Sequence, residues 1–255
     1  MLMTDGNPNS PEDLRAYETA ILDVAHIEQI DLDVKLRLST EDVSEIVLDF
    51  LLDHDPSTDP QGTMRRMLGV SDIVVSPQIK KWHALHTLEL VYLDAFNNQL
   101  NDRYQAKVTE YHNLARDAQE RTFRFGIGQV LQPIPIAMQP TFAVVPGLLP
   151  ATTFYVEVSW ISASGQEGQP SRVTTASTVD GSLLVVNPGT PPAIATAFNV
   201  FLGLAPNTLA LQNSTPIPAG QTFTEAPGGL AAGTPPGHGQ TPDTYITGGQ
   251  SLRRG

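Results

Sequence analysis

Residues 120–132, ERTFRFGIGQVLQ, divide the chain into two kinds of sequence. On their N-terminal side, residues 1–126 hold 22 of the 27 acids and 12 of the 15 lysines and arginines, but only 5 of the 21 prolines. On the other side, residues 127–255 hold 16 of the prolines and 16 of the 20 glycines, with little charge. Proline and glycine at that density cannot sit inside helices, so the second half is predicted to be strands, turns and loops, and the first half helical. Gly126 stands just past Phe123-Arg124-Phe125 and is predicted to cap a helix C-terminus. A phosphate-binding loop opens a helix, whereas Gly126-Ile127-Gly128 stands where one ends. The expected fold class is α+β and multidomain. It comprises a helical bundle with one very long helix (1–126), an antiparallel β-sandwich (127–236) and an extended Pro/Gly-rich tail (237–255).

Moving back from the break, no glycine or proline occurs between Pro77 and Gly126. Ser76-Pro77 is a cap followed by proline at the first helical position. A single helix over 77–121 would extend roughly 68 Å at about 1.5 Å per residue. One face collects Trp82, Leu85, Leu93, Phe96, Leu100, Tyr104, Tyr111, Leu114 and Ala118 at helical spacing. Leu88, Leu90 and Val91 add apolar surface elsewhere, so the first half of this helix is expected to be enclosed on several sides. The run Asn97–Asp102 is poor in helix formers and is a place to bend or recap. So long a helix is hard to cover with the rest of the helical half, and self-association is the expected resolution. Trp82, Leu93, Phe96, Leu100, Tyr104 and Tyr111 are therefore the candidate oligomer interface.

Two earlier helices are predicted. Ser10-Pro11-Glu12-Asp13 offers a hydroxyl cap, a proline and two acids facing the positive helix end, and the helix should run to about Ile30. Ser39-Thr40 before Glu41-Asp42 reads as a second cap, leading into Val43, Ile46, Val47, Phe50 and Leu51. Pro56 stops that helix.

Moving forward from the break, Phe154, Val156, Val158 and Trp160 alternate with Tyr155, Glu157 and Ser159, the pattern of a half-buried strand. Arg172–Val179 is a second strand, Asp180-Gly181 a tight hairpin signal, and Leu183–Val186 a third strand. Phe198, Val200 and Leu202 alternate again, and Gln221–Glu225 gives a further short strand.

The formal net charge is −12, of which −10 lies in residues 1–126. That balance argues against a surface that grips phosphate backbones. With no cysteine there is no disulfide and no thiolate metal site. Met1–Ser10 lacks the pattern of a secretion signal, and no apolar run reaches the roughly 20 residues a membrane span needs, so a soluble chain with no membrane partner is expected.

No P-loop, G-x-S-x-G elbow or HExxH is present, and the chain is not expected to be an enzyme or to carry a cofactor. His83 and His86, with Glu89 or His112, have the residue types of a zinc site, but hydrogen-bonded core or interface histidines are the favoured reading. Asp53-x-Asp55-x-Ser57-x-Asp59 imitates half a calcium loop, yet Met64 stands where the bidentate glutamate belongs. Asn213-Ser214-Thr215 matches a glycosylation acceptor in form only. No catalytic residue and no metal ligand is predicted.

Lys80–Tyr111, KKWHALHTLELVYLDAFNNQLNDRYQAKVTEY, resembles the long helix of the head–tail connector (adaptor, neck) proteins of tailed phages. Phe198–Gly203, Thr208–Asn213 and Pro216–Glu225 together resemble a recurrent immunoglobulin-like or fibronectin-III-like β-module of phage virion proteins. Gly239–Asp243, Tyr245–Thr247 and Leu252-Arg253 are similar to that group's C-termini. The resemblance covers about half the chain, mostly 80–111 and 198–255. It implies a homo-oligomeric ring, commonly of about twelve copies, at the head–tail junction of the virion, assembled in the host bacterial cytoplasm. The implied partners are further copies of the chain, the portal protein and a downstream tail or neck protein. DNA would pass through an acid-lined channel without sequence-specific binding, and the C-terminal tail would reach the portal through Tyr245, Ile246, Leu252, Arg253 and Arg254. The alternative is a virion β-module that binds host-surface glycan or a tail-fibre component, multimerised by the helices.

Overall fold

The computed structural model of the chain describes residues 1–54, 69–99 and 102–248. Five α-helices come first: α1 (Pro11–Leu14), α2 (Ile21–Ile27), α3 (Leu32–His54), α4 (Pro77–Gln99) and α5 (Gln105–Phe125). Strands follow: β1 (Ile127–Gln129), β2 (Thr141–Pro146), β3 (Thr153–Ser162), β4 (Thr174–Ser177), β5 (Ser182–Asn187) and β6 (Ala195–Gly203). Four short strands complete the chain: β7 (Ala210–Leu211), β8 (Ile217–Pro218), β9 (Phe223–Thr224) and β10 (Thr244–Ile246). The fold is α+β, with antiparallel sheets.

The chain divides into two compact units, although not at the predicted borders. The helical unit is Gly6–Val130 together with the segment from Pro242 onward; the β unit is Met1–Asp5 together with Leu131–Thr241. The chain therefore passes from one unit to the other three times.

In the helical unit, α1 begins as its sequence dictates. Asp13 N–H donates to Ser10 Oγ and Ser10 N–H to Asp13 Oδ2, with Pro11 at the first helical position. It does not run on to Ile30. Helical structure stops after Leu14 and resumes at Ile21, and Glu18 in the intervening turn is bonded to Lys107 and Tyr111 on α5. α3 begins at Leu32, not at the Ser39-Thr40 cap. Asp31 Oδ1 accepts from the N–H groups of Asp33 and Val34, as a capping side chain does. Ser39 and Thr40 lie inside the helix, their hydroxyls donating to the carbonyls of His83 and Leu36.

The single helix predicted over 77–121 is two. α4 ends at Gln99, α5 starts at Gln105, and they pack along each other as an antiparallel hairpin. Trp82 meets Phe123, Glu89 meets His112 and Tyr92 meets Tyr111, a register that descends on α5 as it climbs on α4. The Asn97-Asn98 and Asn101-Asp102 pairs border the break, where side chains that compete for backbone bonds weaken a helix. Folding back supplies from within the chain much of the cover that a straight helix would have sought from neighbours.

Gly126 caps α5 as expected, with φ +99° and its N–H on the Thr122 carbonyl. The chain then pairs β1 with β10 in the register Ile127↔Ile246, Gly128↔Tyr245 and Gln129↔Thr244. Residues 72–74 add to this pair through Val74 N–H to Gly128 O and Val130 N–H to Asp72 O.

The β unit has one sheet in the order β2-β5-β9 and another in the order β4-β3-β6-β7, with β8 also on β6. Phe154, Val156, Val158 and Trp160 point into one core, as the alternation predicts. Phe198, Val200 and Leu202 of β6 join them, with Leu184 and Val186 from β5 of the other sheet. Asp180-Gly181 does not close a hairpin: β4 pairs with β3 and β5 with β2, so this turn hands the chain from one sheet to the other. Asp180 Oδ1 accepts from Ala151 N–H, and Gly181 takes φ +72°.

Candidate functional site

The α3–α4–α5 packing of the helical unit gathers most of the residues singled out in the sequence. Trp82 is 2 % exposed and Tyr111 3 %, and Tyr104 is also buried, so these three spend their surface inside the unit. Trp82 meets the edge of Phe123 at 5.7 Å, and Phe123 stacks on Phe50 at 4.4 Å. Tyr92 stacks on Tyr111 at 5.4 Å and tilts against Tyr104 at 5.9 Å. Phe96 is half-buried, while Leu93 remains 42 % exposed. Leu100 lies outside the described residues.

Glu18 organises the tyrosines. Its Oε2 accepts from Tyr111 Oη and Lys107 Nζ, each at 2.9 Å. Burial alone would raise its carboxyl, but Lys107, Tyr111 and Tyr92 together hold it below its ordinary range. Burial and the nearby Glu18 charge push both Tyr92 and Tyr111 up, so they remain neutral hydrogen-bond donors. Tyr104 Oη donates to Glu28, itself buried.

The two histidines, His83 and His86, have different surroundings. His83 is fully buried; its Nδ1 accepts from Asn9 Nδ2 at 2.8 Å, and its Nε2 faces the Leu36 carbonyl at 3.1 Å. Burial drives its pKa down to about 4, so it is a neutral tie between the N-terminal segment, α3 and α4. His86 instead joins a line of charges. Its Nε2 is 2.9 Å from Asp42 Oδ2 and its Nδ1 3.0 Å from Glu89 Oε2, while Glu89 Oε1 is 2.8 Å from His112 Nδ1. Burial would lower His86, but the two carboxylates outweigh it and hold its pKa raised. The structure brings His86, Glu89 and His112 together, without His83. Their nitrogens are nevertheless bonded to carboxylates, and among the described residues no group of three or more could hold a metal ion.

On the outside of the hairpin lies an apolar groove of about 230 Å³ between α4 and α5. Leu85, Leu114, Ala118 and Phe125 line it, and Lys81 and Arg121 stand at its edge. Leu114, predicted for the buried stripe, is 40 % exposed here, and Phe125, 64 % exposed, was not singled out in the sequence. It stands seven residues after Ala118 and so continues the Tyr111–Ala118 spacing to the end of α5.

No known protein family, curated protein or solved structure matches the chain.

The predicted tail contacts divide in the same way. Tyr245 and Ile246 belong to β10 and pair with β1 of their own chain, Tyr245 leaving 60 % of its surface exposed. The segment expected to need a partner is held by this chain as far as Gly248, whose N–H reaches the Phe123 carbonyl. Leu252, Arg253 and Arg254 lie outside the described residues, as does the calcium-like loop from Asp55 to Met64. Asn213 is committed to structure: its Nδ2 donates to Asn199 Oδ1 and the Thr215 carbonyl, and its Oδ1 accepts from Val200 N–H. Among the described residues no helix is long and apolar enough to cross a membrane.

Proposed function

We propose that the protein is a structural component of a tailed-phage particle, a head–tail adaptor that assembles as a ring between the portal and the next tail or neck protein. What carries this reading is the Lys80–Tyr111 stretch, whose resemblance to connector helices falls on α4 and the beginning of α5, the centre of the helical unit. The α4–α5 hairpin keeps Leu114 and Phe125 exposed at the groove and Leu93 exposed elsewhere on α4, apolar surface that a neighbouring copy would cover. In this reading Trp82, Tyr104 and Tyr111 support the interface from beneath instead of forming it. In this reading the β unit, whose two sheets share one core, is an immunoglobulin-like sandwich that binds another virion component. The acidic excess of residues 1–126 lines a channel along which DNA slides.

The glycan-binding alternative ranks behind this. Sugar recognition relies on stacking against aromatic rings, and the described lining of the cavity in the β unit holds no tryptophan, tyrosine or phenylalanine.

Electron microscopy of the purified protein, alone and mixed with portal rings, tests the proposal. A ring of about twelve copies, or a monomer that assembles only on portal, is the expected result. A stable trimer indifferent to portal would overturn it.

A further inference from the structure

β2 is the outer strand of its sheet: β5 lies on one side of it, and among the described residues no strand lies on the other. The register identifies which of its backbone groups are left over. Glu225 N–H bonds the Leu184 carbonyl, so the backbone of Leu184, and of Val186 two residues on, is turned towards β9. Leu184 and Val186 stand opposite Val144 and Phe142. These are therefore the non-bonded pairs of the β2–β5 ladder, whose N–H and C=O groups point away from the partner strand. Gly147, whose N–H bonds the Gly181 carbonyl, keeps the same alternation at the end of the strand. The N–H and C=O groups of Phe142 and Val144 thus face outward, and among the described residues nothing meets them.

A free edge of this kind is a template for another strand, and charged side chains are a usual guard against it. β2 has none. No charged residue occurs between Arg124 and Glu157. Five of the six residues of β2 are exposed, Val144 by 49 % and Val145 by 37 %. The other edges of the β unit are shorter or covered. β8 and β9 have two residues each and β4 has four. β7 is overlaid by residues 231–234, with Leu211 N–H on the Thr234 carbonyl and Ala231 N–H on Gln212 Oε1. Prolines limit the open edge of β2 instead. Pro140 stands just before the strand and Pro146 ends it, each without the donor that its place in the alternation would turn outward. Both lie three residues from Ala143, one on each side.

We propose that β2 pairs with the β2 strand of a second copy of the chain, antiparallel about a twofold axis at Ala143. Phe142 then stands opposite Val144 of the second copy, and Val144 opposite its Phe142. About four backbone hydrogen bonds form, and every outward N–H and C=O of the two residues is met. Centring the pair on Val144 or on Phe142 instead sets a proline opposite and leaves one carbonyl of each copy without a donor. At the Ala143 centre the prolines oppose each other, Pro140 to Pro146, and end the ladder on both sides. A second copy suits this edge because it brings the matching proline spacing and no like charge. Since both copies use the same edge, the contact closes as a pair, and two β2-β5-β9 sheets become one continuous sheet. The pairing concerns the β unit alone and does not rest on the adaptor reading.

The chain has no cysteine, so single introduced thiols in the full-length protein test the register. Ala143→Cys should cross-link to itself on mild oxidation, because the Cα atoms of a non-bonded antiparallel pair stand about 4.5 Å apart. Thr141→Cys and Val145→Cys should each fail to do so alone, yet cross-link when mixed. Amide exchange in the wild-type chain gives a readout that needs no variant to fold. It should slow at Phe142 and Val144 as concentration rises, whereas Ala143 and Val145, bonded to β5, are protected throughout. Val144→Lys should weaken the pairing at least about tenfold, while a ring held by the helices would survive it, so failure here and failure of the adaptor reading are told apart. Exchange at Phe142 and Val144 that stays fast up to about 1 mM chain would overturn the proposal. So would cross-linking of Ala143→Cys no faster than that of Leu204→Cys, an exposed position of the same unit. Protection of the two amides by a capped valine–threonine peptide, but not by the chain itself, would also overturn it, since the edge would then serve another partner.

Discussion

His86 Nε2 lies 2.9 Å from Asp42 Oδ2, joining α4 to α3, while the opposite nitrogen of the same ring faces Glu89. Both ring nitrogens can donate only when the imidazole is protonated. The pair is therefore a charge-dependent fastening between helices.

Its pH dependence follows from the raised pKa of His86. A raised folded value means that the stabilisation is fully present below the unfolded value of 6.5 and is lost as pH rises through the higher folded value. The melting temperature of the helical unit should fall as pH rises above 6.5. His86→Gln should flatten that decline, and thermal denaturation at half-unit intervals checks it. The lowered pKa of Glu89 acts on the other side, contributing above its unfolded value of 4.5 and fading as pH drops through the folded value.

His83 has the opposite sign. Its folded pKa of about 4 lies below the ordinary 6.5, so its stabilisation is complete above pH 6.5 and is lost as pH falls towards 4. Over that interval the unfolded chain takes up a proton that the buried ring refuses, a slope of up to about 1.4 kcal/mol per pH unit. Denaturant melts between pH 4 and 6.5 should show this slope, and His83→Gln should reduce it. An unchanged slope in the variant would show that His83 is not its source.

Trp82 and Leu93 were grouped as interface residues, and they should respond differently to truncation. Trp82→Ala removes a buried ring packed on Phe123 and should cost about 3–5 kcal/mol of unfolding free energy. Leu93→Ala removes an exposed side chain and should change stability by no more than about 0.5 kcal/mol. Any effect on self-association should follow Leu93, which sedimentation velocity of the two variants would reveal.

Gly126 serves α5 and the C-terminal strand together. At φ +99° a side chain is strained, and an added Cβ would lie 2.8 Å from Thr247 Cγ2 and 3.0 Å from the Ile246 carbonyl. Gly126→Ala should loosen the β1–β10 pair, seen as faster amide exchange at Ile246 and earlier proteolysis of the C-terminal segment, while the β unit is unaffected.

Sequence legibility followed the range of the interaction. The Ser10-Pro11-Asp13 start, the Gly126 cap and the alternation of Phe154–Trp160 are written within a few residues, and each is found in place. The break between Gln99 and Gln105 was marked only by a cluster of weak helix formers, and what decides it is the match of Trp82, Glu89 and Tyr92 to partners on α5. Asp31 caps α3 where Ser39-Thr40 is the local cap signal; Ser39 instead bonds the His83 carbonyl, a partner distant in sequence. In the β unit, the two-residue signal of Asp180-Gly181 fixed a turn but not which strands it would join.

The threefold passage of the chain between its units, after Asp5, Val130 and Thr241, makes them hard to sever. A protease that nicks one crossing leaves the units covalently joined through the other two, and each product of a cut after Val130 still has a portion in both. Release of one unit from the other takes three cuts. Mild digestion should therefore yield fragments that separate in denaturing gels yet migrate together under native conditions.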